Sequence, residues 1–468
     1  MGKRITRIEN ITIENFKNVT QGILDFENKH KAYKASILGL YGQNGSGKTA
    51  LIDAILLLKF ALCGNPIPRK YADYVNVDAE YATLKYELVV RYEEVVYNVW
   101  YQFSMRKVID ETIVSIDESV NNNTSIRVEL FDEVLSFSYE AKNDKMRKVA
   151  LIDTRTDELF VPKAKMQELV GNNKERYMDL LVTKRLTKAT SRSFVFSREL
   201  INQYRKNCKN ELYMKLIEGL YTYGHSELFI IDTESIGLIS LNTLPLRFKY
   251  QHGVSETFGS LLLSLNGSTL IQEDMYDVVE SVIENMNIVL EQLVPGLRIG
   301  IVDLGSAMTK DGKIAKQIQL MSLKNNKEIP FCYESEGIKK IVSVLQLLIV
   351  VYNNPSVTVA IDELDGGVFE YLLGELLSII SEKGKGQLIF TSHNLRPLET
   401  IDKGFIAFTT TNPKIRYIRL TNVKGTNNLR DFYYRDIVLG EQSEQVYNPT
   451  NNFEIALAFR EAGETFGS

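Results

Sequence analysis

Residues 42–49 constrain this chain most: Gly42-Gln43-Asn44-Gly45-Ser46-Gly47-Lys48-Thr49. The short apolar run Ser36 to Tyr41 (SILGLY) precedes them and is expected to form a buried strand. Ala50 to Leu62 follows, apolar nearly all round, and reads as a buried helix. Strand, glycine-rich turn and helix in that order fit G-x-x-x-x-G-K-S/T and its structural context. The glycines let the backbone curl so that successive N–H groups face phosphates, and the helix adds its positive end. Gly42, Asn44, Gly45, Ser46 and Gly47 are therefore assigned to a nucleotide's phosphates. Lys48 is expected to reach the β- and γ-phosphates, and Thr49 to ligate Mg²⁺. The alternative is a glycine-rich turn with no ligand.

A second run, Val357 to Glu363 (VTVAIDE), reads as a buried central strand ending in two acids. Asp362 is expected to hold Mg²⁺ through water, and Glu363 to polarise an attacking water. The competing reading is a solvated turn. Asp365 follows directly, before Gly366-Gly367. Gln387 to Phe390 is another apolar strand, leading into Thr391-Ser392-His393-Asn394. Of the histidines His30, His225, His252 and His393, only the last follows a strand in this context. It is expected to contact the γ-phosphate; otherwise it is packed or solvated.

Between these motifs lies Glu334-Ser335-Glu336-Gly337-Ile338-Lys339-Lys340, which opens a helix over Ile341 to Tyr352. Asn353-Asn354-Pro355 ends it. Ser335 is a helix cap, and the N–H groups it leads form an anion site aimed outward. The competing reading is an ordinary capped helix.

The rest of the chain sets the frame. Residues 81–139 alternate β-branched and aromatic positions between turns, as an antiparallel meander does, and Trp100 there reads as a core or sheet-face aromatic. From Lys163 to Gly224 the sequence is polar and helical, with no sustained heptad. Its basic cluster Lys184, Arg185, Lys188 and Arg192 is either a solvated face or a nucleic-acid or partner contact. Glu273 to Leu293 is an amphipathic helix stopped by Pro295-Gly296. Leu297–Asp303 and Ile314–Leu323 pair around Lys310-Asp311-Gly312. A net charge of −4 argues against a uniformly basic nucleic-acid binder. The N-terminus lacks the apolar run of a signal peptide, and no stretch approaches a membrane span. Cys63, Cys208 and Cys332 offer no paired spacing, which suits a reducing cytosol and a cytoplasmic protein.

The order of glycine loop, serine-led helix, acid pair, aspartate loop and histidine resembles the ABC ATPase superfamily. The opening ITIENFKNV and ESEGIKK resemble its SMC/RecF-like branch, and more closely the OLD-like AAA-family ATPase subunits of bacterial anti-phage systems of the Septu and PARIS type. The resemblance covers residues about 5–60 and 330–410; the middle is similar in layout alone. It implies ATP and Mg²⁺ as ligands, and ATP hydrolysis. It implies a dimer or larger assembly in which Ser335, Glu336, Gly337 and Lys339 meet a nucleotide held by the other copy, with Asp365 beside it. It also implies that Lys17 or Asn18 touches the nucleotide. SEGIK replaces the transporters' LSGGQ, so Glu336 stands for a glycine. Only 75 residues follow His393, too few for the OLD nucleases' Toprim domain plus the remaining ATPase strands.

The expected fold is α/β: an ATPase head joining a mixed β-lobe to a mainly parallel sheet flanked by helices, with a helical insertion. The expected divisions are 1–160, an N-terminal ATPase lobe; 161–295, mainly helical; and 296–468, a C-terminal ATPase lobe. The first functional expectation is an ATPase that controls a separate effector, a nuclease or toxin. The second is a repair or chromosome-type ATPase acting on DNA. A GTPase should carry NKxD, which is absent from the sequence.

Overall fold

The computed structural model describes residues 4–26, 36–110, 125–241, 243–252, 255–308, 312–325, 327–421, 428–440 and 442–464. The chain opens with strands β1 (Ile5–Phe16), β2 (Val19–Asp25) and β3 (Ser36–Tyr41), then helix α1 (Lys48–Leu62). Four strands follow: β4 (Ala82–Arg91), β5 (Val95–Asp110), β6 (Ser125–Ala141) and β7 (Asp144–Asp153). Helices α2 (Lys163–Val170), α3 (Lys174–Ala189), α4 (Arg198–Asn207) and α5 (Glu211–Thr222) lead to β8 (Leu228–Ile231) and α6 (Thr233–Ser240). Next come β9 (Thr243–His252), β10 (Ser255–Ser264), β11 (Thr269–Gln272) and α7 (Glu273–Leu293). The C-terminal part holds β12 (Leu297–Met308), β13 (Ile314–Lys324), β14 (Lys327–Pro330), α8 (Glu336–Asn353), β15 (Thr358–Ile361), α9 (Glu370–Lys383) and β16 (Gln387–Thr391). It closes with α10 (Pro397–Thr400), β17 (Ile406–Thr409), β18 (Tyr417–Ile418), α11 (Leu429–Leu439) and α12 (Asn452–Glu464).

Two six-stranded sheets organise the head. The first, β2-β1-β4-β5-β6-β7, is antiparallel throughout and contains the expected meander. The second runs β18-β17-β3-β16-β15-β8, parallel except for β18. Its strands are short and apolar because both faces are covered. Alternation along each strand divides the two cores. Leu38, Leu40, Ala360 and Ile389 point to α1 and the antiparallel sheet. Ile37, Tyr41, Val359, Ile361, Leu388 and Phe390 point to α8, α9 and α11. Helix α1 lies between the sheets and is buried along most of its length, as its all-round apolar sequence requires. A third core joins β9, β12, β13, α7 and the start of α8.

Among the described residues, 161–295 hold α2 to α7 and also the strands β8 to β11. One of these, β8, is an edge of the central sheet, paired with β15 from Leu228↔Thr358 to Ile231↔Ile361. Four apolar residues, LFII, are too few to be told from a helix segment by periodicity. β12 and β13 form the expected antiparallel hairpin; Lys310 and Asp311 lie outside the described residues. Trp100 lies on the face of the first sheet under Lys148, whose Nζ stands 4.0 Å from the ring centre.

Candidate functional site

The neighbours β3, β16 and β15 run parallel, so their carboxyl ends lie side by side, where open α/β sheets bind ligands. The glycine loop leaves β3, His393 follows β16, and Asp362-Glu363 follows β15. These ends meet in a cavity of about 270 Å³ lined by Lys17, Asn18, Asn44, Gly45, Gly47, Lys48, Thr49, Ala50, Asp362, Glu363 and His393.

The loop's shape depends on its glycines. Gly45 and Gly47 have φ of 73° and 94°, the left-handed region that side chains disfavour. A Cβ on Gly42 would fall 1.8 Å from Thr409 Oγ1. Ser46 Oγ donates to Gln43 O and shares a hydrogen bond with Thr409 Oγ1. Lys48 is 7% exposed, and its Nζ donates to Gly42 O at 2.8 Å and Gln43 O at 3.0 Å. Burial lowers its pKa, against the raising pull of Asp362, Glu363 and Asp365.

Asp362 is 1% exposed and clamped on both oxygens: Thr391 Oγ1 donates to Oδ1 at 2.5 Å, and Thr233 Oγ1 to Oδ2 at 2.7 Å. Glu363 is exposed to the cavity with φ at 44°, and its backbone N–H donates to Thr391 Oγ1 at 2.8 Å. Asp365 Oδ2 accepts from the backbone N–H groups of His393 and Asn394 at 3.0 and 2.9 Å, tying the acid loop to the histidine loop. Burial and the Lys48 cation hold the His393 pKa below its ordinary value, so the ring is mainly neutral at pH 7. His30 lies outside the described residues.

Lys17 pairs with Asp53 of α1 and lies over the Tyr74 ring, 4.1 Å from its centre. Asn18 donates from Nδ2 to Gly45 O. Ser335, Glu336, Gly337, Lys339 and Asp365 do not line the cavity. Ser335 caps α8, its Oγ accepting from Ile338 N at 3.3 Å, and Lys339 pairs with Glu336 at 3.1 Å. Gly337 packs against the acid loop: a Cβ there would lie 2.2 Å from Gly367 O.

The donors present fit a polyphosphate with a hard cation. The N-terminus of α1 has no side-chain cap and no acid in its first turn, so its N–H groups and Lys48 offer one concentrated positive end. Thr49 and Asp362 line the cavity with oxygen donors of the kind a magnesium ion takes, and would hold one there, Asp362 through water. Sequence reasoning missed several supports. Thr233 and Thr391 hold Asp362; Tyr417 OH donates to Gly47 O at 2.9 Å, and Arg416 Nη2 to Asn18 O at 2.5 Å. No local pattern marks any of these except Thr391, which adjoins the histidine motif.

A family model described as AAA ATPase domain matches residues 7–396. The chain belongs to that family. Members of ATPase families bind nucleotide, usually with Mg²⁺, and the cavity holds the residue types this needs. No curated protein sequence matches significantly. Among solved structures, the chain is similar to the SmcHead bound to the C-winged helix domain of ScpA, with 12% identity, 89% and 98% of the two chains covered, and TM-score 0.37. The SMC head domain from Thermotoga maritima is similar at 13% identity, covering 88% and 99%, TM-score 0.35. The recombination mediator protein RecF-ATPrS of the RecFOR pathway is similar at 12%, covering 89% and 98%, TM-score 0.35. Among the described residues no helix is long and apolar enough to cross a membrane.

Proposed function

We propose that the chain binds ATP in this cavity and hydrolyses it to ADP and phosphate. The observation that carries the reading is the meeting of Lys48, the pair Asp362-Glu363, and His393 at three adjacent strand ends around one cavity. Lys48 and the first turn of α1 neutralise the phosphates, and Lys17 and Asn18 border the nucleotide. Mg²⁺ held by Thr49 and Asp362 would offset charge on the phosphate oxygens. Glu363 orients the attacking water and accepts its proton. His393, mainly neutral, donates a hydrogen bond toward the γ-phosphate from the other wall.

The reading extends to a pair of chains, each presenting Ser335, Glu336, Gly337, Lys339 and Asp365 to the other's nucleotide. Supporting it, the aromatics Tyr333, Phe369 and Tyr371, within four residues of Gly337 or Gly367 in the chain, are 76, 70 and 53% exposed. We propose further that this cytoplasmic ATPase controls a separate effector, a nuclease or toxin, in anti-phage defence. The motif resemblance to OLD-like ATPases and the net charge of −4 support that role over direct action on DNA. Plaque counts on cells carrying the chain with its genomic neighbours test it: equal counts for wild type and Lys48→Ala would refute the defence role.

The biochemical test compares Lys48→Ala and Glu363→Gln. The first should lose ATP binding in a calorimeter. The second should bind ATP, release phosphate at least ~100-fold more slowly, and sediment as an ATP-dependent pair. Wild-type phosphate release from Glu363→Gln would remove it from the reaction; wild-type ATP affinity in Lys48→Ala would remove the site.

A further inference from the structure

A second cavity, of about 340 Å³, lies between α1, the end of β8, α6 and β9. It is larger than the one assigned to the nucleotide and shares no lining residue with it. Leu56, Phe60, Ile230 and Leu238 give it apolar walls. Helix α1 is buried along most of its length, yet Leu56 and Phe60, one turn apart on one face, stay half-buried here. They are apolar surface that the fold itself leaves partly uncovered, in a cavity of the size that takes small ligands.

The polar wall has one acceptor to spare. Arg247 is already committed: Nη1 donates to Ile230 O, and Nη2 to Ser235 Oγ at 2.8 Å. Glu234 pairs with Lys70 at 2.6 Å. Asp232 caps α6 through Oδ1 alone, which accepts from the backbone N–H and the hydroxyl of Ser235. Its Oδ2 accepts nothing among the described residues and stays accessible. A carboxylate oxygen in that position takes N–H or O–H donors and offers none. The guest that fits is therefore apolar in body, with N–H donors at one end.

We propose that this cavity is a regulatory site for a small apolar ligand with an N–H donor head, an amine or amidine, received by Asp232. The backbone that walls the cavity also holds the acid of the nucleotide site. Ile230, Asp232, Glu234 and Ser235 line the cavity; between them, Ile231 O accepts from Asp362 N at 2.8 Å, and Thr233 Oγ1 donates to Asp362 Oδ2 at 2.7 Å. Leu56 and Phe60 stand on the helix whose first turn carries Lys48 and Thr49. A ligand that moves the 230–235 segment thus changes how Asp362 is presented to Mg²⁺, one residue away from its own contacts. This regulatory half rests on the assignment of Asp362 to Mg²⁺ given above; the ligand site does not.

The test uses the full chain and two probes of one shape: benzamidine, a ring with a forked N–H head, and benzoate, a ring with acceptors alone. Ligand-observed NMR gives their affinities for wild type, Asp232→Asn and Leu238→Trp. Asparagine caps a helix as well as aspartate does, so Asp232→Asn should stay folded. Benzamidine should bind wild type at least about 10-fold more tightly than benzoate does, and lose about 10-fold or more in Asp232→Asn, the scale of hydrogen bonds to a charged group. Leu238→Trp, which fills the cavity, should weaken it as much. The site is overturned if benzamidine does not bind, if benzoate binds as well, or if Asp232→Asn or a folded Leu238→Trp binds benzamidine as wild type does. Phosphate release across a Mg²⁺ titration reads the regulation. Saturating benzamidine should shift the wild-type Mg²⁺ midpoint about fivefold or more and leave that of Asp232→Asn in place. A wild-type midpoint that does not move overturns the regulation. If wild type releases no phosphate at any Mg²⁺ concentration while benzamidine binds as expected, the reading of the nucleotide cavity fails, and the regulatory half with it, while the ligand site stands.

Discussion

Gly337→Ala tests whether the helix capped by Ser335 and the acid loop work as one piece. The added Cβ would lie 2.2 Å from Gly367 O, where ordinary contact begins at 3.4 Å, so helix or loop must retreat by 3.4 − 2.2 = 1.2 Å. Two stability effects oppose each other. Alanine gains about 1 kcal/mol of helix propensity over glycine. Overpacking costs about 1–3 kcal/mol. The net loss is therefore about 0–2 kcal/mol, small enough for the protein to remain folded. Hydrolysis is far more sensitive, because an ångström of misplacement can cost about 100-fold in rate. Gly337 does not line the cavity, so ATP affinity should hold within about threefold. Calorimetry gives the affinity, and phosphate release at saturating ATP gives the rate. A Gly337→Ala protein that hydrolyses at the wild-type rate would refute the coupling. A variant that loses affinity and rate in equal measure would refute the separation of helix end from glycine loop.

Two further perturbations address the fold. Glu133 is buried and accepts from Ser193 Oγ at 2.5 Å, Phe194 N at 2.6 Å and Tyr101 OH at 2.8 Å. Glu133→Ala removes all three bonds, leaving the Phe194 N–H and at least one of the two hydroxyls, which stand 3.3 Å apart, without an acceptor, and should destabilise by about 2–4 kcal/mol in urea titration; a loss under about 1 kcal/mol would sink this account. Lys59 is held down at about 8 by burial, against an ordinary 10.5. The folded state then binds fewer protons than the unfolded one between those values, so stability rises with pH across that window, by up to about 3 kcal/mol. Lys59→Met should therefore be more stable than wild type at pH 7.5, with a narrower gap at pH 9.5. A gap that does not change with pH would contradict the shift.

What the sequence makes legible follows from how local each constraint is. A glycine loop needs particular residues at fixed offsets, so Gly42 to Thr49 can be read without neighbours. A strand ending in two acids is equally local, as is the stop of α7 at Pro295-Gly296. Lys184 shows the opposite case. It sits in a run of basic residues that suggests a solvated or ligand-binding face, yet it is buried and donates to the carbonyls of Thr154, Thr156 and Glu158. Only tertiary packing turns that lysine inward. Thr233, Arg416 and Tyr417 touch the site from elements far away in the chain, and nothing in their own neighbourhoods records it. Lys340 is adjacent to the recognised motif but reads as one more charge in ESEGIKK until its burial, to 2% exposure, is known.

The pairing of β3 has a consequence for how the protein is made. This strand carries the glycine loop, but its ladder partners are β16 and β17; Ser36 pairs with Gln387, 351 residues later. A ribosome adding about 5–20 residues per second delivers β16 tens of seconds after β3. Throughout that interval SILGLY is an unpaired apolar strand, open to wrong partners and in need of shelter. Arg416 and Tyr417, which brace Asn18 and the glycine loop, arrive later still. The growing chain therefore cannot brace its glycine loop until residue 417 has been made, and a nascent fragment that stops before β17 lacks both a ladder partner of β3 and those braces.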